Sequence, residues 1–166
     1  MQVTLRPWQK NDRFLLAELA NNISIWNNVR DRLPHPYTIR HASAFIKYCR
    51  GQDPLHVLAI DVDGHLAGCI GLELQDDISR ISAELGYWIG ETYWGRGVAT
   101  EAVKQIMDHI FEAFPVLSRI YAKVFEYNKA SMKVLEKNGF HLESVQKKSV
   151  IKNNEIIDEY VWVKFR

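Results

Sequence analysis

Residues 83–103 read AELGYWIGETYWGRGVATEAV, and this stretch decides the fold. Its first seven residues read as the end of a strand that begins at Arg80. Gly90, Gly95 and Gly97 then interrupt the pattern. From Val98 the period becomes helical, with Ala99, Val103, Ile106, Ile110 and Phe114 on one face until Pro115 ends the helix. A strand that ends in glycines and opens a long helix is either a plain turn or an anion site. Glycine lets a ligand approach the backbone, and the free N–H groups of a helix's first turn carry about half a positive charge. Arg96 adds a cation to the same turn, so a phosphate is the natural guest. The spacing is neither GxGxxG nor GxxxxGK[ST], which removes the usual marker for dinucleotides and nucleoside triphosphates.

Working outward, residues 80–89 form a third consecutive strand behind residues 56–61 and 66–74. Asp63-Gly64 marks a hairpin between the first two, and residues 75–79 form a polar turn. Gly86 inside the third strand suggests a bulge or a close backbone approach. Upstream, residues 3–6 form a strand stopped by Pro7. Asp12 caps a helix with Phe14, Leu15 and Leu19 inward, and Thr38 caps another with Ala42, Phe45, Ile46 and Cys49 inward. Residues 21–37 are irregular, with a short helix around 25–30. Downstream, residues 119–125 form a strand. Asn128 caps a helix with Met132 and Leu135 inward, which ends at Gly139. Residues 140–151 and 155–165 are strands joined at Lys152-Asn153-Asn154. The order β, helices, βββ, α, β, α, ββ predicts an α+β domain over residues 1–166, a mixed sheet with helices on both faces.

The 166 residues suit one domain, and 47% hydrophobic with 25% charged residues exclude disorder, collagen and coiled coil. A net charge of +1 argues against a general nucleic-acid binder. Lys147, Lys148, Lys152 and Lys164 read as the lysines that blunt a solvated edge strand. No apolar run approaches the ~20 residues of a membrane span. Cys49 and Cys69 form no CxxC pair, and the chain shows no signal peptide, so a cytoplasmic location is expected. Cys69 reads as a small core residue. The six histidines share no ligand spacing, so no metal is expected.

The run at 83–103 resembles the acetyl-CoA-binding motif of the GNAT superfamily of N-acetyltransferases, and within it the RimJ/RimL branch. The segment NKASMKVLEKNGF at 128–140 is similar to that branch's other signature, and LRPWQKND at 5–12 to its opening. The resemblance spans nearly all 166 residues. It implies a GNAT fold, with the mostly antiparallel sheet splayed in a V between the third meander strand and the strand at 119–125. Acetyl-CoA would lie in that V as co-substrate. The backbone of Tyr87, Trp88 and Ile89 would meet its pantetheine arm, and amides of Gly95, Arg96, Gly97, Val98, Ala99 and Thr100 its pyrophosphate. Asn128 and Ser131 would complete the cofactor site. Two departures stand out: Trp94 fills the usual leading Gln/Arg place, and Leu135 stands where many members carry an acidic tyrosine.

The implied reaction moves acetyl to a primary amine, on a protein N-terminus or a small molecule, by direct attack on the thioester. An alkylammonium with a pKa of about 10 needs a base first. Glu84 is the candidate base, with Glu73 on the neighbouring strand as rival. Glu101 lies in the first helical turns, where a carboxylate complements the dipole. Ser131 is the candidate to protonate or solvate the leaving thiolate, and the N–H of Tyr87 or Trp88 could stabilise the oxyanion. Trp26, His35 and Tyr37 lie in the irregular segment that forms one acceptor wall in this family. A homodimer would match many relatives. The alternative is an acyl-CoA-binding module without turnover.

Overall fold

The computed structural model describes residues 1–166. Seven strands, β1 (Val3–Arg6), β2 (Val57–Val62), β3 (His65–Leu74), β4 (Ser82–Ile89), β5 (Arg119–Phe125), β6 (His141–Lys152) and β7 (Glu155–Phe165), form one sheet. Their order is β1-β2-β3-β4-β5-β7-β6. Neighbours are antiparallel except β4 and β5. The helices are α1 (Asp12–Ala20), α2 (Ile23–Trp26), α3 (Ile39–Arg50), α4 (Val98–Ala113) and α5 (Lys129–Lys137).

Turn chemistry sets the hairpins. Asp63 and Gly64 both take positive φ, the conformation a tight β2–β3 turn requires. Asn153 and Asn154 do the same between β6 and β7, so Lys152 belongs to β6, opposite Glu155, rather than to the turn. Side chains of β3 alternate between two cores. Ile70 and Leu72 meet Val103, Ile106 and Ile110 of α4 and Leu135 of α5. Cys69 meets the opposite layer, in which Leu16 and Ala17 of α1 pack with Ala42, Ile46 and Cys49 of α3.

Several local expectations change. The N-cap of α1 is Asn11, without a side-chain bond, and Asp12 is its first residue. The Asp12 carboxylate instead accepts from the Gln9 N–H at 2.7 Å and from both Arg6 terminal nitrogens. On this helix Phe14 and Leu15 are exposed, while Leu16, Ala17 and Ala20 are buried. The short helix is Ile23–Trp26, capped by Asn22, which accepts from the Ser24 and Ile25 N–H groups. A 3-10 turn at Asp77–Ser79 delays β4 to Ser82. Gly86 makes neither a bulge nor a close approach. The β3–β4 register is unbroken through Gly71↔Gly86, and a Cβ at Gly86 would meet nothing within 4 Å.

The irregularity lies instead between β4 and β5. They pair only at Ser82↔Arg119, Ala83↔Ile120 and Glu84↔Tyr121. Residues 85–89 and 122–125 then diverge, which opens the sheet into the expected V. β5 remains paired with β7 along its whole length, so the far arm of the V keeps its sheet neighbour.

Lys152 is not a solvated edge lysine. It is 4% exposed, with its ammonium 2.7 Å from Asp31 and 3.3 Å from the centre of the Trp26 ring. Lys147, by contrast, sits on the open edge and pairs with Asp158. Lys152→Met keeps the aliphatic stem but loses the desolvated cation–π contact and the ion pair. A loss of about 2 kcal/mol in a urea melt is expected. An unchanged midpoint would mean that the Trp26 and Asp31 partnership adds nothing to stability.

Candidate active site

The first cavity is built from the end of β4, the glycine turn and α5. Gly97 caps α4 with φ +79, a left-handed conformation, and contributes no side chain. The first N–H groups of α4 therefore have no capping side chain and are free for an anion. The Trp94 indole donates to the Ile89 carbonyl at 2.7 Å, tying the turn back to the strand end. This cavity, about 450 Å³, is lined by Tyr87, Trp88, Ile89, Gly95, Gly97, Val98, Ala99, Thr100, Asn128 and Ser131. Nearly every residue assigned to the cofactor thus faces one space.

Arg96 does not line it; its guanidinium lies 5.9 Å from the Tyr93 ring centre. The cations come from α5, where Lys133 and Lys137 border the cavity. Their i,i+4 spacing would have marked them as one helical face. Asn138 donates to the Thr100 carbonyl at 3.2 Å and so joins the end of α5 to the start of α4.

Asn128 caps α5 as expected, accepting from the Ser131 N–H at 3.2 Å. The Ser131 hydroxyl lies 2.8 Å from the Tyr87 hydroxyl, which also donates to the Ser131 carbonyl at 3.3 Å. Burial pushes the Tyr87 phenol up to about 12, so it stays protonated at neutral pH. Leu135 is fully buried in the core behind α5.

The second cavity, about 500 Å³, lies beside β4 and β5 and holds Glu73, Glu84 and Glu159 with Arg30, Asp31, Lys123 and Lys152. The two cavities share a wall: Asn28 and Val29 border the first, and the next two residues the second. Glu84 is hydrogen-bonded to the Arg30 guanidinium. Arg32 donates to Glu73 at 2.8 Å and holds its carboxyl below the usual range. Burial pushes the Glu159 carboxyl up, opposed by Lys123. Glu101 lies in the first turn of α4 and accepts from Gln105 at 2.9 Å within that helix.

Trp26, His35 and Tyr37 line neither cavity. Trp26 stacks on His35 at 5.5 Å and covers Lys152. Tyr37 is 5% exposed within the α1–α3 core, and burial raises its hydroxyl well above the ordinary range. The irregular segment does wall the site, but through Asn28, Val29, Arg30 and Asp31. Burial likewise pushes the Cys69 thiol far up, as befits an inert core residue. No cluster of three or more His, Cys, Asp or Glu side chains is placed to hold a metal ion, and no helix is long and apolar enough to cross a membrane.

The family profile described as "Acetyltransferase (GNAT) domain" matches residues 2–141. Probable N-acetyltransferase YjcK of Bacillus subtilis is 42% identical over 69 residues, 42% of this chain and 38% of the relative. The spermidine N(1)-acetyltransferase of Escherichia coli is 29% identical over 143 residues, 85% of this chain and 74% of the relative. Several of the curated relatives are matched over about half of their own length or less. Among solved structures, the ribosomal alpha-N-protein acetyltransferase RimL in complex with coenzyme A superimposes with a TM-score of 0.86. It is 19% identical, over 99% of this chain and 94% of that one.

Proposed function

The chain belongs to the GNAT acetyltransferase family, and from that premise we propose that it transfers the acetyl group of acetyl-CoA to a primary amine. The observation that carries this reading is the pair of cavities meeting across the diverging β4. One offers uncapped helix N–H groups and two lysines, suited to the phosphates of CoA. The other is rich in carboxylates, suited to an ammonium. Acetyl-CoA lies in the first cavity with its pantetheine arm along Tyr87 and Trp88. The acceptor enters the second.

The amine nitrogen attacks the thioester carbon, and the carbon–sulfur bond breaks. Glu84, acting through a water, takes the proton that the ammonium must lose, and Arg30 holds that carboxylate in place. The N–H of Tyr87 or Trp88 meets the oxyanion. Ser131, whose hydroxyl is oriented by Tyr87, solvates the leaving thiolate, which takes up the second proton that the nitrogen sheds as the amide forms. The acceptor is a protein N-terminus or a small amine. The names of the E. coli spermidine enzyme and of RimL cover both kinds. Residues 1–166 act as one acetyltransferase unit in the cytoplasm.

The deciding experiment is CoA-thiol release from acetyl-CoA against a panel of free amines and peptides with varied N-termini. Turnover with at least one amine supports the proposal. CoA-dependent thermal stabilisation without turnover on any amine would make the chain an acyl-CoA-binding module, a reading favoured only by Leu135 in the tyrosine position. The chemistry asks for no Lewis acid, so EDTA is expected to leave the rate unchanged. A strict divalent-ion requirement in the same assay would overturn this mechanism.

A further inference from the structure

We propose that Glu159 is the seat of the acceptor's ammonium group, the anion that draws a protonated amine into the second cavity and holds it beside Glu84. This rests on the acetyl-transfer reading and names the residue that gives it an amine preference.

The other carboxylates of the cavity are engaged. Glu84 is held by Arg30, Glu73 by Arg32, and Asp31 by Lys152. Glu159 differs. It is 6% exposed, and the one cation within 4 Å of it is Lys123 at 3.9 Å, beyond hydrogen-bond distance. No protein group donates a hydrogen bond to it, and its carboxylate oxygens open on the cavity rather than being sealed in the core. A cavity-facing anion left in that state is poised for a ligand that supplies the missing donors, and an alkylammonium brings three N–H groups.

Its place in the sheet agrees. β4 and β5 last pair at Glu84↔Tyr121, so four residues further along, Trp88 and Phe125 stand at one level on the two diverging arms. Glu159 is the β7 partner of Phe125. Directly opposed residues share a face, so Glu159 lies on the sheet face that carries Phe125, Tyr121 and Glu84, at the level of the free stretch of β4. That is where the thioester arm is proposed to run.

The groups around Glu159 are Lys123 on β5, Arg30 before α3 and Glu84 on β4, with Asp31 and Lys152 in the same cavity. Burial and Glu84 favour its neutral form, while Lys123 and Arg30 oppose them. Only the ionised form binds an ammonium. KM for an alkylamine therefore rises as pH falls through the titration of Glu159.

The test is steady-state kinetics with the best alkylamine of the panel and with aniline, which is uncharged at neutral pH. Glu159→Gln is expected to raise KM for the alkylamine at least about tenfold, with a far smaller change in kcat. KM for acetyl-CoA and for aniline should stay put, and the acidic limb of the KM profile should vanish. Glu159→Asp should fall between the two, which keeps the test open if the Gln variant folds poorly. Lys123→Met removes the competing cation and should lower the alkylamine KM or leave it unchanged. An unaltered alkylamine KM in folded Glu159→Gln overturns the inference, as does a Lys123→Met variant that raises KM equally, which would make the two a structural pair. Wild type that turns over no amine defeats the acetyl-transfer reading, and this inference with it.

Discussion

Gly97→Asp is expected to lower CoA affinity at least about 10²-fold while leaving a folded protein. Gly97 opens α4 at φ +79, and a Cβ built there meets nothing within 4 Å, so the side chain has room. The left-handed conformation costs an L-residue about 1–2 kcal/mol, least for Asn and Asp. A carboxylate at a helix N-terminus recovers part of that through the dipole. Folding should therefore survive. Binding should not, because the new carboxylate occupies the space in front of the uncapped N–H groups and repels the pyrophosphate. Two unit charges 4 Å apart at an effective dielectric of 20 repel by about 4 kcal/mol. Since each 1.4 kcal/mol is tenfold in affinity, a loss of 10² or more follows even after screening. Gly97→Asn carries the same shape and strain without the charge and should lose much less. Calorimetric titration with CoA beside a circular-dichroism melt separates these terms. Unchanged CoA affinity in folded Gly97→Asp would mean that the glycine turn is only a turn.

What the sequence disclosed, and what it hid, divides by distance along the chain. Asp63-Gly64 announced its hairpin because the conformation a tight turn needs is written in two adjacent residues. The helical period after Gly97 and the Asn128 cap are equally local. The V is not local: whether β4 stays with β5 past Glu84↔Tyr121 depends on segments 37 positions apart, and Gly86 pointed to the wrong ladder. Lys152 looked like an edge lysine because its cover, Asp31, is 121 residues away. Tyr37 and Trp26 looked like acceptor residues because aromatic content does not say which way a ring faces. One turns into a core, the other covers a lysine. Arg96 was chosen for its charge beside the glycines, yet a backbone turn leaves side-chain direction open. The cleft takes its cations from α5 instead. Arg30, which holds the proposed base, lies 54 residues from Glu84 in a stretch with no regular pattern.

Glu84→Gln is the sharper test of the chemistry, with an expected fall in turnover of about 10²-fold or more and little change in CoA affinity. General-base catalysis contributes typically 10²–10⁴-fold, so its loss should cost about 2.7 kcal/mol or more in the barrier. The amide is isosteric, and its oxygen still accepts from Arg30, so the segment that walls both cavities stays in place. What it cannot do is take a proton. The carboxylate lies in the second cavity rather than along the glycine turn, which is why cofactor affinity should hold. Glu73 is the poorer rival: Arg32 holds its carboxyl below the usual range, which weakens it as a base. The kinetic signature also separates Glu84 from Glu159. Loss of the base lowers kcat for alkylamines throughout the neutral range, whereas loss of the ammonium seat raises KM. A Glu84→Gln variant that turns over near the wild-type rate at pH 7 would make Glu84 a structural partner of Arg30. The proton would then leave through Glu73 or a chain of water. A variant that loses both kcat and CoA affinity would instead report a collapse of the shared wall, which a parallel melt with and without CoA would reveal.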